Sequence, residues 1–341
     1  MQKYIILLCS LLLLLIIFVD CDSYEPPESL GYPESEITSR DENGDFRIPE
    51  HSMESGVLEV SVFGLQSADS ILLTTENYVV LIDTGERQHG RSIAERLFDR
   101  NIFHIDYLII THFDRDHVGG AYDIIRFLGV NNVIVPNYRR ISNSVRRFEE
   151  AKQRVGLEAH VLTETITLTL DDAVFVIYPT DLDFFVFGNE YDDGNDLGVD
   201  LGSESGITSQ TGDTNNTDSY EVIAPRENDF SIIVTVAHGE NNFIFTGDAM
   251  AERLGMALET EEIIDIDFDF LKLPHHGRHN RRSVEFINAI NPRYAVSTCC
   301  IDRPTDARVI AALESVGAEI FFSKNGIVHA RSDGRTLAVT Q

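Results

Sequence analysis

The chain has 341 residues, of which 43% are hydrophobic and 24% are charged, and this is enough apolar material for a large folded core. Its 27 basic and 56 acidic residues give a net charge of −29, which excludes a protein that coats nucleic acid non-specifically, because such binding needs a surplus of Lys and Arg. Four cysteines in this length exclude a disulfide-dense scaffold.

The first 21 residues are predicted to be a targeting or anchoring segment. Lys3 precedes an uncharged apolar run over residues 4–19, which is the layout of a signal peptide. Cys21 follows the run, so a lipid anchor and a simple export signal both stay open, and a membrane-spanning anchor is a third alternative. We therefore expect an exported protein, periplasmic, extracellular or membrane-anchored, that contacts the membrane through this segment.

Two segments carry most of the negative charge. Residues 22–55 hold ten Asp or Glu and two Arg, and residues 181–220 hold ten Asp or Glu and no Lys or Arg. Both are poor in periodic apolar residues, so we expect solvated segments. The first is predicted to be an acidic linker, and residues 181–225 are predicted to be a disordered insert in a domain that spans residues 56–341.

Strand and helix patterns alternate from residue 57 to the end of the chain. The predicted strands are Val57–Phe63, Ser70–Thr75, Tyr78–Ile82, Tyr107–Ile110, Val133–Val135, Ile166–Leu170, Ala173–Tyr178, Ser231–Ala237, Asn242–Thr246, Phe270–Leu273 and Tyr294–Ser297. The predicted helices are Ser92–Asp99, Ala121–Leu128, Val145–Arg154, Ala251–Leu258, Val284–Ile290 and Ala307–Val316, and short strands are predicted from there to residue 341. Two series of strands followed by helices predict an α/β protein with two sheets packed face to face and helices outside.

The segment His112–Gly120 carries the densest group of potential metal ligands. Its sequence, His-Phe-Asp-Arg-Asp-His-Val-Gly-Gly, directly follows an apolar strand. In an extended turn His112, Asp114 and Asp116 point to one side, and His117 can join them as the next helix begins. Four nitrogen and oxygen donors within six residues favour a metal site over an ordinary polar loop.

Three further strands end in residues of the same kinds. Asp83 stands in Ile-Asp-Thr-Gly, Asp248 follows Phe-Thr-Gly, and the pair His275-His276 follows Leu-Lys-Leu-Pro. Asp83 can orient metal ligands without contacting the metal, and Asp248 can bridge two metals. A pair of adjacent histidines at a strand end is more often functional than structural.

Taken in order, these motifs resemble the metallo-β-lactamase superfamily, and more narrowly the metallo-β-lactamase-like domain of ComEC-type competence proteins and their stand-alone relatives. Those proteins carry His-x-Asp-x-Asp-His-x-Gly-Gly, which matches residues 112–120, and the later motifs Leu-Ile-Asp-x-Gly, Asn-x-x-Ser, Thr-Gly-Asp and His-His-Gly are present in the same order. The chain departs from the pattern beside Gln66, where two glycines are missing, and at Arg278, which replaces a serine. The resemblance implies a four-layer αβ/βα sandwich with a metal cleft at one edge.

The resemblance also implies two divalent metal ions, zinc or manganese. The implied ligands are His112, Asp114, Asp116, His117, Asp248 and His276. The first two would hold one ion, the next two together with His276 would hold the other, and Asp248 would bridge them. Asp114 stands where most of the superfamily has a histidine, and this hard oxygen ligand shifts the preference from Zn²⁺ toward Mn²⁺ or Mg²⁺.

The predicted function is metal-dependent hydrolysis of a phosphodiester or another anionic small molecule, with nucleic acid as one such substrate, through a metal-activated hydroxide. Asp116 and His275 are the predicted catalytic residues, His275 as proton donor or, alternatively, as the metal ligand in place of its neighbour. Asn228 and Arg278 are predicted to contact the substrate. A lactone, ester or β-lactam hydrolase and a non-catalytic binding module remain as alternatives, and the near-complete ligand set argues against the latter.

Overall fold

A computed structural model of the chain describes residue 54, residues 56–180, the backbone of residues 186–188 and residues 226–341. The predicted N-terminal segment, nearly all of the acidic linker and nearly all of the insert at 181–225 lie outside these residues. No helix in the described part of the chain is long and apolar enough to cross a membrane.

The fold contains many short strands and eight α-helices in its described part. In chain order the strands are β1 (Leu58–Val62), β2 (Ile71–Thr74), β3 (Val79–Ile82), β4 (His104–Ile109), β5 (Gly129–Pro136), β6 (Arg139–Ile141), β7 (Ala159–Leu162), β8 (Ile166–Leu170), β9 (Ala173–Tyr178), β10 (Val186–Gly188), β11 (Ile233–His238), β12 (Asn241–Phe245), β13 (Phe270–Lys272), β14 (Tyr294–Ser297), β15 (Glu319–Phe322), β16 (Val328–Ser332) and β17 (Leu337–Thr340). The helices are α1 (His89–Phe98), α2 (Arg115–Val118), α3 (Ala121–Phe127), α4 (Asn143–Val155), α5 (Ala251–Glu259), α6 (Glu261–Ile264), α7 (Ser283–Ile290) and α8 (Ala307–Ser315). Three 3-10 turns lie at Glu227–Phe230, Pro274–Gly277 and Ser323–Asn325.

The strands form two large mixed sheets. The first has the order β17-β16-β1-β2-β3-β4-β5-β7, and the second has the order β15-β14-β13-β12-β11-β9-β8. Strands β3, β4, β5 and β7 run parallel in the first sheet, as β12 to β15 do in the second. The carboxyl ends of parallel strands lie at one edge of a sheet, so the polar segments after β3 and β4, and those after β12 and β13, are brought together within each sheet.

The core lies between the two sheets. Val60 of the first sheet and Phe175 of the second belong to one buried hydrophobic cluster. On β12, Phe243 and Phe245 point into this cluster, whereas Ile244 joins a second cluster formed with helices α5 to α8. This alternation is expected of a strand that is covered on both faces. The arrangement confirms the predicted α/β sandwich with helices outside.

The predicted elements are confirmed in place and type, and their bounds differ from the observed ones by at most four residues. The largest differences are at β5, which begins four residues earlier, and at β4, which begins at His104. Asp106 interrupted the apolar pattern of β4, yet it is buried there and its carboxylate accepts a hydrogen bond from Val79 N at 2.8 Å. Strands β6, β7 and β10 were not predicted. Most side chains of β6 and β7 are exposed and carry no periodic apolar signal. Strand β10 pairs with β6 inside the segment that was predicted to be a disordered insert, so for these three residues that prediction was wrong.

Candidate metal centre

Four side chains from separate polar segments converge at one edge of the sandwich. Asp116 and His117 follow β4 of the first sheet, whereas Asp248 follows β12 and His276 follows β13 of the second. Each offers one donor atom, and these atoms all lie within 4.8 Å of one another. His276 Nε2 is 3.1 Å from Asp248 Oδ2 and 3.3 Å from Asp116 Oδ2, and His117 Nε2 is 3.3 Å from Asp248 Oδ1. These four residues are called the four-donor cluster below.

The donor atoms fit a divalent metal ion. Nε2 of His117, Nε2 of His276 and Oδ1 of Asp248 are buried, and none of them makes a hydrogen bond to the described residues. Buried polar atoms without hydrogen bonds are rare in folded proteins, and a bound cation would satisfy all three. Two imidazole nitrogens and two carboxylate oxygens are a donor set that zinc and manganese both accept. The described part of the chain therefore contains a candidate metal-binding cluster.

Both histidines of the four-donor cluster are oriented through their second ring nitrogen. Nδ1 of His117 lies 2.8 Å from Asp83 Oδ2, and Nδ1 of His276 lies 3.0 Å from Thr298 Oγ1 and 3.3 Å from Asp69 Oδ1. Such partners turn Nε2 toward the metal position and make it a better ligand.

Asp83 also holds the start of the segment 111–120, which is called the ligand loop below. Its carboxylate accepts hydrogen bonds from the backbone N and the hydroxyl of Thr111 at 2.8 and 2.7 Å. The residue has a φ of 59°, an uncommon backbone conformation for a side chain other than glycine, and such conformations cluster at functional sites.

Lys272 is a buried cation at the site that the sequence analysis missed. Its side chain is fully buried, forms an ion pair with Asp69, donates a hydrogen bond to Gly247 O at 2.9 Å and lies 3.7 Å from Asp248 Oδ1. Burial by itself lowers the pKa of Lys272, but the nearby carboxylates outweigh it and raise the pKa above its ordinary value. The ammonium group is therefore charged. The available signal was a lysine in the otherwise apolar strand Phe270–Leu273.

The glycines of the ligand motif allow close backbone packing. A Cβ atom on Gly120 would lie 2.2 Å from Thr84 O and 2.9 Å from the Cα of Gly90 in α1. No larger residue fits without moving the backbone. The ligand loop is thereby held directly against the turn after β3 and the start of α1.

The structure places His276, and not His275, in the four-donor cluster. His275 Nε2 lies 3.9 Å from Asp248 Oδ2, and its Nδ1 lies 3.0 Å from Met250 Sδ. Burial, helped by the positive neighbours His276 and Arg278, lowers the pKa of His275 to about 4, so the imidazole is neutral at pH 7. The predicted role of proton donor requires the imidazolium form, which these surroundings disfavour, and it stays a prediction.

His112 and Asp114 lie beside the four-donor cluster. His112 Nε2 is buried and is 3.5 Å from Asp114 Oδ2, and the rings of His112 and His117 are 4.0 Å apart between centroids. The other carboxylate oxygen of Asp114 accepts a hydrogen bond from Arg140 Nη1 at 2.9 Å, and Arg140 also forms an ion pair with Glu227. Neither Arg140 nor Glu227 was among the predicted site residues, because no local sequence pattern connects either charge with the metal ligands.

The chain matches a known protein family over the segment that holds these residues. A model of the metallo-β-lactamase superfamily matches residues 64–297, which contain the whole four-donor cluster. The chain belongs to the metallo-β-lactamase superfamily. This establishes the family and the fold that the sequence motifs predicted.

Two curated relatives are similar to this metallo-β-lactamase domain at low identity. ComE operon protein 3 of Bacillus subtilis is 23% identical over 256 residues, which are 70% of this chain and 28% of that protein. Recombination protein 2 of Haemophilus influenzae is 23% identical over 224 residues, which are 64% of this chain and 21% of that protein. The chain thus spans about a quarter of the length of these relatives, and the resemblance to ComEC-type proteins is confirmed for that part.

The chain is also similar to a solved structure. The metallo-β-lactamase fold protein YhfI from Bacillus subtilis superimposes with a TM-score of 0.47 and 10% sequence identity, over 80% of this chain and 99% of that one.

Arg278 lies at the rim of the metallo-β-lactamase site. It is exposed, and its Nη1 is 3.4 Å from His275 Nε2. The neighbouring Arg281 and Arg282 each form an ion pair with a glutamate, so their charge is balanced locally. Arg278 therefore keeps a positive charge beside a site histidine.

Asn228 lies in the 3-10 turn Glu227–Phe230 and is half-buried. The serine of its motif, Ser231, has a structural contact with the site, since its hydroxyl accepts a hydrogen bond from Asp248 N at 3.2 Å. The motif thus helps to place the aspartate of the four-donor cluster, and the substrate contact of Asn228 stays a prediction.

Proposed function

We propose that this domain is a metal-dependent hydrolase, and the four-donor cluster is the observation that carries the proposal. A divalent ion held by Asp116, His117, Asp248 and His276 would lower the pKa of a bound water and so supply a hydroxide nucleophile. The protein contributes a site whose histidines are already oriented before any ligand arrives. Asp83 contacts Nδ1 of His117, and Asp69 and Thr298 contact Nδ1 of His276.

The proposed substrate is a phosphodiester or another anionic compound. Arg278 beside His275 supports this choice, because a guanidinium group that is not paired with a carboxylate binds phosphate oxygens in a geometry that suits both partners. A lactone or ester carries no negative charge and would gain nothing from it. Nucleic acid is one member of the proposed class.

The proposed metal is manganese in preference to zinc. The four-donor cluster holds two carboxylates beside its two imidazoles. Hard oxygen ligands of this kind favour Mn²⁺, whereas nitrogen ligands favour Zn²⁺. The second ion that the resemblance implies would need Asp114, which already contacts Arg140.

The test is hydrolysis by the full chain, stripped of metal and reloaded with Mn²⁺ or Zn²⁺. We expect activity on bis(p-nitrophenyl) phosphate or single-stranded DNA that exceeds activity on a neutral lactone, and His276→Ala should lower it by at least about 100-fold. His160→Ala, at an exposed histidine of β7, is the matched control and should leave it unchanged. Activity confined to the neutral lactone would establish the ester-hydrolase alternative, and full activity of His276→Ala would exclude the four-donor cluster as the active site.

A further inference from the structure

Only one of the two predicted metal positions is assembled from enough donors. Among the described residues, groups of three or more donor atoms lie within 4.8 Å of one another, but neither His112 nor Asp114 belongs to any such group. His112 and Asp114 contact each other at 3.5 Å, and Asp114 also contacts a cation, Arg140. The position that a first metal ion would take is therefore bordered by a positive group.

Arg140 is held in this position by its own set of partners. Its guanidinium joins Asp114 to Glu227, and Glu227 Oε1 accepts a hydrogen bond from Tyr138 Oη at 2.8 Å. Tyr138 Oη in turn accepts a hydrogen bond from Phe113 N, next to Asp114 in the chain, at 2.6 Å. The side chains of Arg140 and Glu227 are only 17% and 11% exposed. The guanidinium is thus fixed to the ligand loop from two directions.

We propose that Arg140 takes the place of the first metal ion, so that the domain binds one divalent ion, in the four-donor cluster. The inference rests on one part of the proposed function, which is that the four-donor cluster binds a metal ion. A guanidinium stays charged at every physiological pH, so it neutralises Asp114 permanently and repels a divalent ion beside it.

The test counts metal ions in the full chain. Protein stripped with a chelator is titrated with Mn²⁺ by calorimetry, and its metal content is measured by elemental analysis after gel filtration. Wild type should bind one ion, and Arg140→Met, which removes the charge and frees Asp114, should bind two. Arg140→Lys keeps the charge and should bind one, as should Arg139→Met, the matched control at the exposed neighbour in β6.

A second measurement does not depend on the folding of the Arg140 variants. Mn²⁺ bound to wild type should give the electron paramagnetic resonance signal of an isolated ion, without the coupling of a pair. Asp114→Asn should still bind one ion, because Asp114 is not a ligand of that ion, whereas His276→Ala should bind none.

The outcomes separate the two proposals. Two ions in wild type, or a coupled pair in its spectrum, would overturn the replacement by Arg140. One ion in both wild type and a folded Arg140→Met would show that Arg140 is not what excludes the second ion, and this also overturns the inference. No ion in wild type would instead refute the metal site, and with it the proposed function.

Discussion

Lys272→Met tests the buried charge balance beneath the metal centre. The substitution keeps the length of the side chain but removes the ammonium group that pairs with Asp69 and lies 3.7 Å from Asp248 Oδ1. Asp69 is 1% exposed, so its carboxylate would be left in the interior without its main cationic partner. Breaking a buried ion pair in this way costs about 3–5 kcal/mol of unfolding free energy. The loss should appear in metal-free protein at pH 7.

The same variant should respond more strongly to metal. In this variant a bound divalent ion supplies positive charge to the carboxylates that have lost the ammonium group of Lys272. The repulsion between the ammonium group and the ion is also absent. We expect Mn²⁺ to bind at least about tenfold more tightly, or about 1.4 kcal/mol, in Lys272→Met than in wild type. Urea unfolding followed by circular dichroism, without metal and with saturating Mn²⁺, measures both effects.

Two further variants make the measurement specific. Lys324→Met, at an exposed lysine, should change the unfolding free energy by less than about 0.5 kcal/mol. The double variant Asp69→Asn with Lys272→Met removes both charges and should recover at least about half of the loss, because a neutral pair has no uncompensated charge. A loss below about 1 kcal/mol in Lys272→Met alone would refute the reasoning, since it would mean that the lysine or its partner is not charged in the folded protein.

Two more predictions concern protons and packing at the site. Burial lowers the pKa of both His117 and His276, but the surrounding carboxylates outweigh it and raise each pKa well above 6.5. Both imidazoles are therefore protonated in metal-free protein at pH 7. Metal binding should release about two protons, and the affinity for the metal should increase as the pH rises. Calorimetry in buffers of different ionisation enthalpy counts the released protons. The control His275→Ala should release the same number, because that imidazole is neutral. A wild-type protein that releases no protons would contradict the assigned charge states. Gly120→Ala should destabilise the protein by about 1–3 kcal/mol in urea unfolding, because its Cβ would lie 2.2 Å from a backbone oxygen. In the control Gly255→Ala in α5, the Cβ would lie 3.9 Å from Arg282 Nε, an ordinary van der Waals distance, and the variant should be neutral or slightly stabilising. Equal effects of the two substitutions would argue against the close packing.

The elements and the order of the ligands could be predicted because both depend on local sequence. Strands such as Ile166–Leu170 and Ala173–Tyr178 have the predicted bounds because turn residues delimit their apolar runs. Asp83 was a weak signal on its own, since an aspartate before a Thr-Gly turn is common, and its contacts with Thr111 and His117 exist only in the folded chain.

The charged partners of the site could not be predicted, because no local pattern marks them. Lys272 looked like a single polar interruption of a strand, and Arg140 and Glu227 looked like solvated charges. Their roles come from pairing across long stretches of chain, Lys272 with Asp69 and Arg140 with both Asp114 and Glu227. Periodicity describes which face of an element is buried, but it contains no information on which distant charge lies opposite.

The origin of the four donors has a consequence for the life of the protein in a cell. Asp116 and His117 follow a strand of one sheet, and Asp248 and His276 follow strands of the other, so an ion bound here joins the two halves of the sandwich. A ligand at 1,000 times its Kd adds about 4.1 kcal/mol to the stability of the folded state. The supply of metal would then determine how well the protein resists proteolysis as well as how fast it turns over substrate. Variants of the four donors would be degraded in cells, so their abundance would fall in addition to any loss of catalytic activity.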